Sequence, residues 1–441
     1  MSGLHLTEVG LIERAKGLVR RGAGAYLRTL REATPNARRY FTAVVMQNVA
    51  AGILGTVFAL YVKEAGMSTA VVGDVEGALA LAAAVVCLLL PPLVEVVGYR
   101  WMLVIAGIAF GASRLGQTLG VAPSVIIALG LGYGVGDGIM RSVGVAFLSE
   151  SGPAGRGRTM LFTVDFVLRI AAGFVGALVG GLLPAPLSTV MPEVAALRWT
   201  LAVAGVLLLA SSLPVLGISE KPRARRSAWT VYADSVRGFR SWNRLARLAV
   251  PEGVIAFGAG LIIPFVPLFL RVHLGVSVAQ IGFILGASSL FMAVATLATP
   301  LLARRFGLVG TVVITELASL PFLLTIPLAG TLAAVTIAIW ARGALMNMSW
   351  PVYNQLAVEG VPSRDKPLVV GWMSVSWSLA WLGGSIVGGR LAATSYTSGY
   401  FITAGLYCVG AVLSWLLLRR LSLVTEPSAV SLAAEPAEPR A

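Results

Sequence analysis

The 441-residue sequence has little charge. Asp, Glu, Lys and Arg make up 12% of it, about half the share in a soluble domain. It has two cysteines and two histidines. Cys87 and Cys408 fall inside apolar runs, which argues against a disulfide framework and suits buried thiols acting as small apolar residues. His5 and His273 lie far from any cysteine, so no metal site is expected, and no Ser/His/Asp set is visible. No Gly-xxxx-Gly-Lys-Ser/Thr loop occurs, which argues against ATP-driven work by this chain alone. Alternation with the period of a strand is missing, which disfavours a membrane barrel. These gaps predict a protein that is not an enzyme and holds no cofactor.

What is present is apolar length. Hydrophobic residues make up 57% of the chain and its mean hydropathy is +0.84. A hydrocarbon core of about 30 Å needs about 20 apolar residues per helix. Twelve such runs are predicted: 40–62, 69–91, 101–119, 122–148, 159–184, 195–217, 248–270, 278–302, 308–329, 331–356, 368–393 and 399–418. The expectation is an all-α integral membrane protein with twelve transmembrane helices.

The formal charge of +14 could suggest a nucleic-acid partner, but its placement does not. Counted by side, 26 Lys and Arg residues fall on the side of both termini and the central loop, 4 on the opposite side and 4 inside spans. The positive-inside rule then predicts a multi-pass protein of the cell membrane with both termini in the cytoplasm. Residues 1–39 read as an amphipathic arm drawn to anionic membrane lipid. Residues 218–247 form a basic cytoplasmic linker, and 421–441, rich in Ala, Glu and Pro, read as a disordered tail.

The chain also repeats. Shifted by 209 residues, Gly66, Ser68, Gly73, Gly77, Pro91 and Gly98 fall on Gly275, Ser277, Gly282, Gly286, Pro300 and Gly307. At 208, Gly52 meets Gly260, Arg156 meets Arg364, and Gly176, Gly180 and Gly181 meet Gly384, Gly388 and Gly389. A near-constant register over most of a half predicts two pseudo-symmetric six-helix bundles, 40–217 and 248–420. In such parallel repeats the solute site lies between the halves near the midplane. The small-xxx-small spacing of the glycines suits close helix packing, and Ser277 with Gln280 fits a capping box.

Six plus six helices, inside termini and a basic middle loop resemble the major facilitator superfamily over about residues 40–420. In "PPLVEVVGYR", Glu95, Gly98 and Arg100 match the family's loop signature, while Pro91, Val96 and Tyr99 depart from it. The second-half counterpart "PLLARRFGLV" keeps Arg305 and Gly307. "ESGPAGRGRTM" resembles the family's next acidic-then-basic loop through Glu150, Arg156 and Arg158. The resemblance implies a cytoplasmic charge network that opens and closes during alternating access; positive-inside signalling alone is the other reading of these arginines. The antiporter motif of the fifth span is absent, since Ala177 stands at its proline, and no arginine stands near Gly132.

Charges inside spans mark functional candidates. At about 1.5 Å per residue, Asp137 in span four comes level with Arg169 in span five, and Arg141 with Asp165. Consecutive spans are expected to be neighbours, which predicts a four-member cluster of alternating sign, either a static tie or a switch linked to substrate or proton. Spans one, four, seven and ten line the cavity in the family, which adds Gln47, Asn48, Tyr133, Arg342 and Asn347, with Glu252 and Asn354. Arg342 suits an anionic solute, or pairs with Glu316. Trp340 and Trp377 suit an aromatic wall or helix packing. Glu252, Asp74 and Glu76 read as near span ends, where solvent reaches them.

Together these features imply a monomeric secondary transporter of a small organic solute, coupled to protons or Na+, with efflux placed ahead of uptake of a metabolite or organic anion. A non-transporting sensor and a lipid flippase stay open as other classes.

Overall fold

In the computed structural model, residues 33–120, 122–151, 156–220, 228–362 and 364–425 are described. Among these residues the regular structure is helical and contains no strand. The first half holds α1 (Pro35–Glu64), α2 (Thr69–Val97), α3 (Tyr99–Gln117), α4 (Pro123–Ser151), α5 (Arg156–Leu182) and α6 (Glu193–Ala210). In the second half α7 (Trp242–Ile262) continues through a 3-10 turn to His273. The helix Val278–Leu328 breaks at Gly307 into α8 and α9; α10 (Leu332–Val358), α11 (Lys366–Thr394) and α12 (Ser398–Thr425) follow. The described residues thus include the twelve long helices expected. Nine helical stretches meet a strict length-and-apolarity test for crossing a membrane, one of them the double helix 278–328. α3 and α11 complete the set; Arg100 and Arg114 lower the hydropathy of α3.

The ends follow from local chemistry. Thr34 caps α1, accepting from the Ala37 amide, and Pro35 takes the first helical position. α1 therefore starts five residues before the predicted boundary at 40. The rest of the predicted arm, 1–32, lies outside the described residues, as do 221–227 of the linker and 426–441 of the tail. The linker is partly ordered: Ala228–Arg237 is a helix whose Tyr232 hydroxyl donates to Leu88 O of α2 at 2.7 Å. Cys87 is buried as expected, but Cys408 is exposed on the outer face of α12, where an apolar thiol can face lipid.

The sequence repeat returns as repeated geometry. Gly66 and Gly275, and again Gly98 and Gly307, share a positive φ, a conformation that costs glycine little. Ser68 and Ser277 each cap the next helix, and Ser277 with Gln280 closes the capping box. A Cβ on Gly176 would sit 2.0 Å from Val49 O of α1. A Cβ on Gly384 would sit 2.1 Å from Phe257 O of α7, the same contact 208 residues on. α1 thus packs on α5 as α7 packs on α11.

Across the halves the same glycines swap partners. Gly181 of α5 lies against Gly282 of α8, and Gly389 of α11 against Gly73 of α2. Both crossings lie at the end away from the termini. Two ion pairs close that end, Asp74–Arg390 at 2.8 Å and Glu193–Arg271 at 2.7 Å. The end that carries residues 35, 242 and 419 is called the basic end below.

Candidate functional site

Between the halves lies a cavity in three adjoining lobes of about 570, 350 and 220 Å³. Ala51 of α1 lines all three. The first half supplies the polar wall: Asn48, Glu76, Arg114, Tyr133, Asp137, Arg141, Asp165 and Arg169. The second half supplies Trp377 and Trp381 of α11, Met292 of α8, Pro264 beyond α7, and Asn347 of α10. The polar wall thus holds three carboxylates and three guanidinium groups, a balanced set.

The expected four-member cluster does not form. α4 packs on α2 and α3, α5 packs on α1 and α8, and the two barely meet. Each closes its charges within its own turn: Arg141 Nε donates to Asp137 Oδ2 at 2.6 Å and Arg169 Nε to Asp165 Oδ2 at 2.7 Å. A spacing of four residues puts both groups on one helix face, so the pairing needs no second helix. All four residues line the smallest lobe from its two sides. The two pairs differ in tethering. Arg169 Nη2 also donates to the Tyr40 hydroxyl of α1 at 2.9 Å. The Arg141 side chain is 60% exposed, which places it at the open mouth toward the basic end.

Other candidates separate. Asn48 and Asn347 line the cavity while each donates to its own preceding turn. Gln47 lines the smallest lobe and donates to Ser211 Oγ at 3.1 Å, tying α1 to the end of α6. Trp377 stands in the wall beside Trp381, their ring centroids 6.4 Å apart. Trp340 lies outside these lobes: its indole donates to Ile284 O at 2.9 Å and stacks on Phe291. Arg342 also lies outside them and does not meet Glu316; it donates to the Tyr407 hydroxyl of α12 at 2.6 Å.

Of the three acidic residues read from the sequence as near span ends, Asp74 stays at its end while Glu76 and Glu252 are placed otherwise. Glu76 lines the cavity, where its carboxylate faces the indole of Trp381 across the halves. Asp74 joins the ion pair that closes the far end. Glu252 is 7% exposed, inside the second half. What the adjoining helices cover, not the residue's own position along the chain, decides the environments of Glu76 and Glu252.

Arg114 was visible in the sequence only as a cation inside span three. It is 4% exposed, donates to Gln117 Oε1 at 2.7 Å, and lies 4.0 Å from the Tyr133 ring and 4.6 Å from the Phe58 ring. Its Nε has no partner. Aromatic faces stabilise a desolvated guanidinium, so α1 and α4 hold this charge beside the cavity.

The loop after α2 is built around a residue that departs from the family signature. The Tyr99 hydroxyl donates to Glu150 Oε1 of α4 at 2.6 Å, and the Tyr99 amide donates to Glu220 Oε1 at 2.7 Å. Gly98 at φ +86° leaves room for that Glu220 carboxylate. Glu95 is exposed, and Arg100 keeps a buried Nε without a partner beside Trp101. The side chains of Arg156 and Arg158 lie outside the described residues. These contacts join the loop to α4 and to the start of the linker.

Residues 252–440 match the family model of the Major Facilitator Superfamily. No curated protein matches the chain by sequence. Solved structures share the fold. A bacterial homolog to the human lysosomal transporter Spinster, in an inward-facing and unoccupied conformation, has a TM-score of 0.71 at 14% identity, covering 92% of this chain and 99% of that one. The nucleoside transporter NupG has a TM-score of 0.69 at 14% identity, covering 88% and 100%. The D-xylose-proton symporter has a TM-score of 0.66 at 16% identity, covering 88% and 97%. The second half thus matches the Major Facilitator Superfamily model, and the whole chain shares its fold with these solved transporters.

Proposed function

We propose that this chain is a secondary active transporter that moves a small organic solute by alternating access. The solute is neutral or zwitterionic, with an apolar or aromatic part. One observation carries the solute class: the cavity wall pairs three carboxylates with three guanidinium groups opposite two tryptophans. A net-charged solute would meet no net opposite charge there, and burying an unbalanced charge is costly. A solute with its own balanced or absent charge exchanges hydrogen bonds with the polar wall and stacks its apolar part on Trp377 and Trp381.

The direction proposed is efflux, coupled to protons. The far end is closed by two ion pairs and two glycine crossings, while Arg141 is exposed at the other mouth. With the basic end in the cytoplasm, as the charge asymmetry argues, this state takes up solute from inside.

The test is a thermal-shift screen of purified protein against neutral, zwitterionic and anionic aromatic compounds, followed by flux in proteoliposomes with and without a pH gradient. Zwitterionic or neutral compounds should stabilise the protein, and Trp381→Ala should abolish that gain. Stabilisation by anions alone, or a shift that survives Trp381→Ala, refutes the solute class. Flux indifferent to the pH gradient refutes the coupling.

A further inference from the structure

The six charged side chains of the cavity wall are not equally engaged. Asp137 with Arg141, and Asp165 with Arg169, neutralise each other within their own helices. One carboxylate and one guanidinium remain, Glu76 of α2 and Arg114 of α3. Among the described residues neither has a salt bridge, yet both line the lobe of about 350 Å³. Helix packing brings them to it. Gly134 and Gly136 let α4 lie against both parent helices: a Cβ would sit 2.1 Å from Leu79 O of α2 and 2.9 Å from Ala106 O of α3.

Arg114 is held in one orientation. Its guanidinium lies between the Tyr133 and Phe58 rings, and its Nη1 donates to Gln117 Oε1. Gln117 is itself fixed, because its amide nitrogen donates to Ile126 O at 2.8 Å. A guanidinium carries five N–H donors in a planar fork. The hydrogen bond to Gln117 uses one of them, and the buried Nε has no acceptor. A buried cationic donor left unpaired is costly, and a carboxylate offers two acceptor oxygens that match the fork. Glu76 borders both this lobe and the one of about 570 Å³, beside Trp381. An ionised carboxylate only accepts, so it suits an ammonium group. The second half brings Trp377, Ser378 and Trp381 to this lobe, none of them charged. Neither charge is therefore matched from across the cavity.

We propose that Arg114 and Glu76 are the two poles of a zwitterion site: Arg114 takes the carboxylate of the solute and Glu76 its ammonium group. This rests on the transport reading above and narrows its solute to a small amino-acid-like molecule with an aromatic side chain. That side chain lies on Trp377 and Trp381, where the two lobes adjoin. The arrangement accounts for two opposite charges that share a lobe without touching. A solute that carries both signs bridges them. A solute with one charge satisfies one pole and leaves the other unpaired in a site of low dielectric.

The test is isothermal titration calorimetry of the purified full-length protein with four probes of one skeleton. Phenylalanine carries both charges, phenylalaninamide the ammonium alone, 3-phenylpropanoate the carboxylate alone, and 3-phenylpropanamide neither. Phenylalanine should bind about ten-fold tighter than either singly charged probe. Glu76→Gln should bring its affinity down to that of 3-phenylpropanoate, and Arg114→Gln down to that of phenylalaninamide. Folding is checked by size-exclusion elution. Should Arg114→Gln fail to fold, Arg114→Lys keeps the charge without the fork and should still weaken phenylalanine and 3-phenylpropanoate while sparing phenylalaninamide. The proposal is overturned if phenylalanine binds no tighter than 3-phenylpropanamide, if none of the four binds, or if Glu76→Gln leaves the order of affinities unchanged. The transport reading is judged separately, by the screen and flux above: a neutral compound that stabilises the protein and is transported, with no preference for phenylalanine, removes the zwitterion site and leaves that reading standing.

Discussion

The closest helix crossings give the sharpest test of how this chain is held together. Gly176→Ala adds a Cβ that would lie 2.0 Å from Val49 O and 2.7 Å from Val49 C, both backbone atoms that cannot rotate away. Ordinary contact begins near 3.4 Å, so α1 and α5 must separate by about 1.4 Å along that line. Overpacking of this kind costs about 1–3 kcal/mol, against which alanine returns up to about 1 kcal/mol of helix propensity. Gly384→Ala meets Phe257 O at 2.1 Å and should behave alike, because it is the same contact in the second half. Gly405→Ala on α12 meets nothing within 4 Å and keeps only the propensity gain. In detergent, thermal unfolding should fall by about 1–2 °C for each crossing variant and hold or rise for Gly405→Ala. If Gly176→Ala and Gly384→Ala are as stable as Gly405→Ala, glycine contact is not what sets these crossings, and the structural meaning given to the repeat is wrong.

Three further outcomes are expected. Asp165→Asn and Arg169→Gln each leave a partly buried charge, at about 3 kcal/mol or less given partial exposure; the double variant should recover much of that loss, and a thermal-unfolding cycle in which the losses simply add would show the pair to be uncoupled. Arg390→Gln combined with Glu193→Gln removes both far-end ion pairs, together on the order of 1 kcal/mol, a shift of about five-fold toward the state open at that end; a cysteine placed at Ala51, with Cys87 and Cys408 replaced by serine, should react correspondingly faster with a membrane-impermeant thiol reagent from that side, and an unchanged rate would show that the pairs do not latch it. Asp365 accepts from the Ser241 hydroxyl at 2.7 Å and the Arg240 amide at 3.2 Å, which hold its carboxyl below its ordinary value of 3.8. The folded form binds protons less readily than the unfolded one, so this contact stabilises above that value and is lost as pH falls through the lowered one. Limited proteolysis of the linker should accelerate on the acid side in the parent and lose that acid dependence in Asp365→Asn; an identical acid profile would refute the assignment.

The sequence determined the number of helices, their approximate ends, the sign of charge at each end and the register of the repeat. Those properties follow from apolar length, glycine and proline punctuation, and counts of Lys and Arg, all of which are local or one-dimensional. The offset that set Gly176 on Gly384 was readable because both copies meet the same steric demand from a backbone carbonyl. The tertiary structure alone decided which charges meet. Chain adjacency suggested that α4 and α5 are partners, yet packing sends α4 to α2 and α3 and α5 to α1 and α8. Asp137–Arg141 and Asp165–Arg169 therefore face each other across a cavity and do not neutralise one another. Depth counted along one helix placed Glu76 and Glu252 near water, but burial depends on what the neighbouring helices cover. Glu76 meets Trp381 from the other half, and Glu252 is enclosed by a bundle whose closure no single span encodes.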